Sequence, residues 1–128
     1  RRECRLDGFL NVTREHFLSE EAFAALTPAI SRSNFDWTDI ARIMRGHGWA
    51  VWNIGGQTWV FTMVNADNEI EVLLAGGTDA RRCIGPWEAA MLAEPAHKGM
   101  TLRGEGRAGW ARLLPHWERR DDVLYLKV

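Results

Sequence analysis

Two glutamates on one predicted strand are the first residues whose types and spacing could do chemistry. Glu69 and Glu71 belong to the segment 69–74, in which they alternate with apolar residues such as Ile70 and Val72. Alternate residues of a strand point to the same side of a sheet, so the two carboxylates share one face. A carboxylate beside a second one can act as a general base at neutral pH. The alternative is an exposed polar face without a catalytic role.

Arg81 and Arg82, which follow this strand, are candidates for binding an anion together with the turn that Gly85 predicts. Guanidinium groups and the backbone N–H groups of a turn can surround a phosphate. The alternative is a pair of solvated arginines on an exposed helical face. Basic residues also outnumber acidic ones in the range 98–120. This surplus favours either an anionic ligand or acidic partner, or a solvated edge.

The segment from Gly104 to Gly109 has the G-x-G-x-x-G spacing of a phosphate-binding turn. In dinucleotide-binding folds these glycines let the backbone approach a pyrophosphate at the start of a helix. Such folds need several further βα units, and too few residues follow Gly109 to build them. We therefore expect either small residues that let a helix pack closely on the sheet, or an anion or partner contact made by Arg107.

No spacing of residues indicates a metal site or an activated nucleophile. The four histidines are too far apart in the sequence to match the usual zinc motifs, so no metal is expected. The two cysteines, Cys4 and Cys83, are expected to be free buried thiols, since they form no C-x-x-C pair. A net charge of −1, from 16 basic and 17 acidic residues, makes a nucleic-acid partner unlikely by electrostatics.

Composition and length predict one globular domain over residues 1–128. Hydrophobic residues make up 46% of the chain and charged residues 26%, which is typical of a packed domain and excludes disorder. No apolar run reaches the length of a membrane span, so we expect no membrane partner and a soluble, cytoplasmic protein.

The elements that position the candidate residues follow from caps, turns and periodicity. Ser19 and Asp36 each predict the start of a helix, and Gly55-Gly56 predicts the turn of a hairpin between strands at 49–54 and 58–64. The next helix, over 80–93, starts either near Asp79 or at Pro86. The remaining predicted elements are a strand at 100–103, a helix at 107–114 and a strand at 123–128. The predicted fold is α+β, with an antiparallel meander followed by βαβαβ in one mixed sheet and helices on both faces.

This order of elements resembles the GNAT (N-acetyltransferase) superfamily over most of the chain. The segment Gly106-Arg-Ala-Gly-Trp110, with the later Trp117 and the range 122–128, is similar to small GNAT-like proteins of tailed phages and prophages. The resemblance implies acyl transfer from acetyl-CoA to a small amine or a protein, with Glu71, or else Glu69, as the base.

The resemblance also implies a site for acetyl-CoA or CoA. In the superfamily the strand that matches Val72, Leu73 and Leu74 diverges from its neighbour, and pantetheine pairs with its free backbone. The pyrophosphate binds a loop of pattern Q/R-x-x-G-x-G/A, whose nearest match begins at Arg82 and contains Gly85. The other expected cofactor-binding residues are Arg81 and Arg107.

Two positions depart from the pattern of the superfamily. Trp87 stands where the phosphate loop has a small residue, and the usual tyrosine acid is replaced near Leu113 or Leu114, the one tyrosine being Tyr125 in the last strand. These departures favour an alternative: a GNAT-like phage or prophage protein without catalysis, in the host cell or the virion. Its partners would be phage structural proteins.

Overall fold

The computed structural model describes residues 11–105 and 108–128, and the predicted α+β fold is confirmed. Four α-helices and a short 3₁₀ helix pack around one sheet of seven strands in the described part of the chain. The helices are α1 (Glu20–Ile30), α2 (Trp37–Met44), α3 (Ala80–Ala93) and α4 (Ala108–Leu113), with the 3₁₀ helix at Pro95–His97. The strands are β1 (Val12–Glu15), β2 (Trp49–Ile54), β3 (Thr58–Val64), β4 (Glu69–Gly77), β5 (Thr101–Glu105), β6 (Glu118–Arg120) and β7 (Val123–Lys127).

The first two helices begin where their capping residues predict. The Ser19 hydroxyl accepts a hydrogen bond from the backbone N–H of Ala22, which satisfies one of the free donors of the first turn of α1. Asp36 and Asp39 form a reciprocal capping box at the start of α2. Pro28 does not end α1, which continues to Ile30.

The hairpin between β2 and β3 depends on two glycines. Gly55 and Gly56 have φ values of 65° and 71°, a region that side chains with a Cβ disfavour. The backbone N–H of Gln57 donates to the carbonyl of Ile54, which closes the turn. Two successive positive φ values are typical of the turn whose twist matches that of antiparallel strands, so the predicted hairpin is confirmed.

The sheet has the order β1-β2-β3-β4-β5-β7-β6, and β4 with β5 is its parallel pair. All other neighbours are antiparallel. The connection from β4 to β5 passes through α3, as a parallel pair requires a crossover. The sequence pattern does not predict β6, which has three exposed residues and pairs with β7 across a tight turn.

Helices cover both faces of the sheet and form two hydrophobic clusters. On one face α1 and α2 place Leu26 and Ile40 against Phe61 of β3. On the other face Trp87 of α3 and Leu114, which follows α4, pack with residues from β2 to β7. The sheet is therefore the middle of three layers.

A bulge interrupts β4 at the centre of the sheet. Thr62 is opposite Val72 while Phe61 is opposite Leu74, so Leu73 is an extra residue on β4. Ile70 and Val72 pack on the α3 face, whereas Leu73 and Leu74 pack with the α1 and α2 cluster. A bulge bends a strand and increases its twist. The bend in β4 thus lies where its pairing with β5 ends.

The structure decides between the two predicted starts of α3, and it corrects one other expectation. The helix α3 begins at Ala80, after Asp79 in the left-handed conformation, and it continues through Gly85 and Pro86. Cys83 is disulfide-bonded and 1% exposed, so the prediction of a free thiol is wrong; Cys4 lies outside the described residues. Spacing along the chain does not reveal which cysteines meet in space.

No helix among the described residues has both the length and the apolar character needed to cross a membrane.

Candidate functional site

The strands β4 and β5 are paired over only part of their length. Pairing runs from Glu69 opposite Thr101 to Val72 opposite Gly104. The range 73–77 of β4 stays paired to β3 on its other side, but no described strand pairs with it on the β5 side. Backbone N–H and C=O groups along an open strand edge can pair with an extended ligand.

A cavity of about 750 Å³ lies at this open end of β4. Its volume is in the range of small-molecule sites. The strand contributes Ala75, Gly76 and Gly77, and both α1 and α3 contribute to the walls although they lie on opposite faces of the sheet. Helices from both faces of the sheet therefore line the cavity beside the open edge of β4.

The lining of the cavity is apolar apart from Thr58 and three arginines. Arg32 follows α1, Arg81 lies in the first turn of α3, and Arg112 lies in α4. All three are exposed, and within residues 11–105 and 108–128 none has an acidic partner within ion-pair distance. Among the residues that the structure describes, no aspartate or glutamate lines the cavity. The charge of these three side chains makes the described lining of the cavity electropositive.

Close packing between α1 and β4 fixes one wall of the cavity. A Cβ added at Gly76 would lie 2.1 Å from the carbonyl oxygen of Ala25, so only glycine fits there. Thr58 fixes the neighbouring turn, because its buried hydroxyl donates to the carbonyl of Thr78. The sequence Gly76-Gly77-Thr78 thus serves the packing of the strand end.

Trp87 forms a wall of the cavity and does not fill the opening. The residue is 0% exposed, and it packs with Cys83 and Met91 on the sheet side of α3. Trp110 of α4 lines the same cavity and packs against the same cluster. The bulk of the Trp87 indole is therefore taken up by the hydrophobic core.

The expected cofactor-binding residues are partly brought together. Leu73 and Leu74 lie in the open part of β4, whereas Val72 is still paired with Gly104. Arg81 lines the cavity, and Arg107 lies outside the described residues.

The expected phosphate loop is helical. Arg82 lies in the first turn of α3 and Gly85 in the second, and neither lines the cavity. A helix cannot offer the backbone N–H groups of its interior to a phosphate, because they bond to its own carbonyls. The prediction of a loop from Arg82 to Gly85 is wrong for this reason. The connection between β4 and α3 consists of Thr78 and Asp79 alone.

The two expected catalytic glutamates lie on β4 before the bulge and do not line the cavity. The Asn65 side-chain amide donates to Glu69 Oε1 at 2.9 Å and to Glu71 Oε1 at 2.8 Å. Arg103 of β5 donates to Glu71 Oε2 at 3.2 Å, and its Nε lies 3.8 Å from Glu69 Oε1. Both oxygens of Glu71 therefore have a donor, and the pair forms a polar cluster on one sheet face.

Tyr125 belongs to this polar cluster and not to the cavity. It lies opposite Arg103 across the β5–β7 pair, and Arg120 of β6 lies 4.6 Å from the centre of its ring. A hydrogen bond with Tyr125 raises the pKa of Arg103 above its ordinary value, and the charge of Glu71 adds to the shift. The guanidinium of Arg103 is thus a fixed cation on this sheet face.

A second cluster of polar contacts connects α3 with the segment that follows α4. The Glu88 carboxylate of α3 accepts from Trp117 Nε1 at 2.6 Å and is 2.7 Å from His116 Nε2. His116 and Trp117 follow α4 directly, so this contact joins the two helices that wall the cavity on one face.

Sequence reasoning missed Arg32 as a site residue and included Arg112 only within the basic surplus of the range 98–120. Arg32 follows α1 and Arg112 lies in α4, on opposite faces of the sheet and far apart in the sequence, so no local motif connects them. No protein-family model, no curated protein and no solved structure matches this chain. The geometry of the cavity therefore carries the functional inference.

Proposed function

We propose that this chain is a GNAT-like domain that binds acetyl-CoA or CoA in the cavity beside β4 and transfers the acyl group to an amine. The observation that carries the proposal is the parallel pair β4–β5, which opens after Val72 beside a cavity rich in arginine. The order of the elements also supports it, since an antiparallel meander followed by a parallel crossover is the arrangement expected for that superfamily.

Each part of the ligand has matching chemistry in the cavity. Pantetheine carries amide groups along an extended chain, which suit the free backbone edge of the range 73–77. The phosphate groups of the ligand match Arg81 and Arg112, because one guanidinium group can donate two parallel hydrogen bonds to phosphate oxygens. The apolar surface of Ile84 and Trp110 matches the methylene groups of pantetheine.

In the catalytic form of the proposal, Glu71 removes a proton from the amine directly or through a water. The amine nitrogen then attacks the thioester carbonyl, and the C–S bond breaks to release the CoA thiolate, which takes a proton from water. Glu71 lies two residues before the bulge, and Glu69 is the neighbouring carboxylate. The acceptor would be a small amine or the amine of a protein.

A second candidate is a domain that binds the same ligand without transferring the acyl group. It is favoured by the hydrogen bonds that engage both oxygens of Glu71, and by the lack of tyrosine, histidine or acidic residues in the described lining of the cavity. The partners of such a domain would be other proteins, among them virion proteins if the chain is encoded by a phage.

Isothermal titration of the full chain with CoA and acetyl-CoA tests the binding. A cavity-filling variant, Ala80→Trp, should abolish the heat signal, because Ala80 lines the cavity. Ala89→Trp is the matched control, since Ala89 lies on the exposed side of the same helix. Absence of binding to the unaltered chain at millimolar ligand would refute the proposal.

Release of free thiol from acetyl-CoA with a panel of amines separates the two candidates. Catalysis predicts that Glu71→Gln lowers the turnover rate by at least about a hundredfold while CoA affinity stays within about twofold. Binding without any amine-dependent thiol release would favour the second candidate.

A further inference from the structure

The side-chain amide of Asn65 lies between the turn that precedes β4 and the two glutamates of that strand. Its Oδ1 accepts hydrogen bonds from the backbone N–H groups of Asp67 and Glu69, each at 2.9 Å. These N–H groups only donate, so the amide oxygen must face the turn and the nitrogen must face the carboxylates. Asn65 Nδ2 donates to Glu69 Oε1 at 2.9 Å and to Glu71 Oε1 at 2.8 Å. Both protons of the amide nitrogen are therefore used, one on each carboxylate.

These contacts fix the carboxylate of Glu71. Two carboxylates on the same side of a strand repel each other, and a donor that bonds to both holds them together. Arg103 donates to the other oxygen of Glu71, Oε2, at 3.2 Å from the neighbouring strand β5. Glu71 is thus held from the turn and from β5, and its carboxylate cannot rotate without the loss of a hydrogen bond.

The same contacts leave Glu71 able to act on a substrate. An ionised carboxylate can accept about four hydrogen bonds, and the described donors use one position on each oxygen. The Glu71 side chain is 21% exposed, so an amine or a water can reach the remaining positions. Proton transfer requires such a fixed orientation, since a displacement of about 1 Å can lower a rate about a hundredfold.

We infer that Asn65 is a positioning residue for the base of the proposed acyl transfer. It acts through Glu71, because its amide holds that carboxylate in the orientation in which Glu71 takes a proton from the acceptor amine. This inference rests on the catalytic form of the proposed function and deepens it, since it adds a residue outside the strand that carries the base.

The substitution Asn65→Asp separates the donor from the turn. Aspartate oxygens can still accept from the N–H groups of the turn, but aspartate has no N–H group to donate to the glutamates. We expect amine-dependent release of thiol from acetyl-CoA to become about tenfold to a hundredfold slower, while CoA affinity by isothermal titration stays within about twofold. In the Glu71→Gln background the same substitution should lower the rate by less than about twofold, because its effect passes through Glu71.

Asn53→Asp is the matched control, because Asn53 has a similar arrangement in the hairpin between β2 and β3. Its Oδ1 accepts from the backbone N–H of Gly56 at 2.8 Å, and its Nδ2 donates to Glu15 Oε2 at 3.0 Å. This contact lies outside the polar cluster of Glu71, so the control should keep the rate within about twofold. Thermal unfolding checks the fold of each variant. If Asn65→Asp does not fold, Asn65→Ser replaces it, since one hydroxyl can donate to only one carboxylate.

The outcomes separate the positioning role from the proposed function. A loss of rate in Asn65→Asp that disappears in the Glu71→Gln background supports the role. The role is overturned if the loss is equal in both backgrounds, if Asn53→Asp shows the same loss, or if no loss occurs, and the proposed function then still stands. An unaltered chain that binds CoA but releases no thiol with any amine refutes the catalytic form and the positioning role with it.

Discussion

Gly76→Ala is the substitution whose effect on stability follows most directly from the geometry. A Cβ at this position would lie 2.1 Å from the carbonyl oxygen of Ala25 and 3.0 Å from its carbonyl carbon. Both atoms belong to the backbone of α1, so no side-chain rotation can relieve the contact. The helix α1 would have to move away from β4 by about 1 Å, which disturbs the packing of Leu26 and Leu74.

Overpacking of a well-packed core costs about 1–3 kcal/mol and sometimes more. Because the clash at Gly76 is with backbone, we expect a loss of about 2–4 kcal/mol in the free energy of unfolding. For a domain of this size that corresponds to a decrease of roughly 10 °C in Tm. Urea denaturation followed by circular dichroism measures the change, and Tm by calorimetry provides an independent value.

Gly46→Ala is the matched control for this substitution. Its nearest non-neighbouring atom, the carbonyl oxygen of Ile43, would lie 3.6 Å from the new Cβ, which is an ordinary contact. The control should change the unfolding free energy by less than about 1 kcal/mol. If Gly76→Ala were as stable as Gly46→Ala, the close approach of α1 to β4 and the wall of the cavity that depends on it would be wrong.

Three further predictions concern the polar clusters and the disulfide. Arg103→Met should lower the unfolding free energy by about 1–3 kcal/mol, measured by urea denaturation, because it leaves Glu71 without its cation; an unchanged stability would contradict the ion pair. Arg120 holds the pKa of Glu118 below its usual range through a hydrogen bond, so the pair contributes its stability at neutral pH and loses it as the pH falls through that lowered pKa. Arg120→Gln should raise the pKa of Glu118 in an NMR titration, and an unchanged value would exclude the contact. Without reductant, Cys83 should resist alkylation in denaturant, and mass spectrometry showing a modified Cys83 would contradict the disulfide.

Local signals in the sequence were sufficient for much of the fold. The capping box at Asp36 and the turn at Gly55-Gly56 act within a few residues, so their chemistry determines the structure on its own. The sequence does not decide between two starts for α3, since a proline is compatible both with the first turn of a helix and with a kink. Packing of Cys83 and Trp87 on the sheet favours the longer helix.

The candidate site is harder to predict from the sequence than the fold. Glu71 and Arg103 are neighbours only because β4 and β5 pair in parallel register, which no local pattern specifies. The arginines that line the cavity, Arg32, Arg81 and Arg112, come from three separate segments, and each alone is indistinguishable from a solvated surface residue. The short edge strand β6 consists of exposed charged residues and therefore lacks the apolar alternation that predicts a strand.

Hydrogen exchange along β4 tests most directly whether its open edge binds the ligand. Saturating CoA should slow the exchange of backbone amides in the range 73–77 that point away from β3, because they would gain hydrogen-bond partners. The amides of the range 69–72, which already pair with β5, should change little and serve as the internal reference. Unchanged exchange over 73–77 with the ligand bound would contradict pairing of pantetheine with this strand.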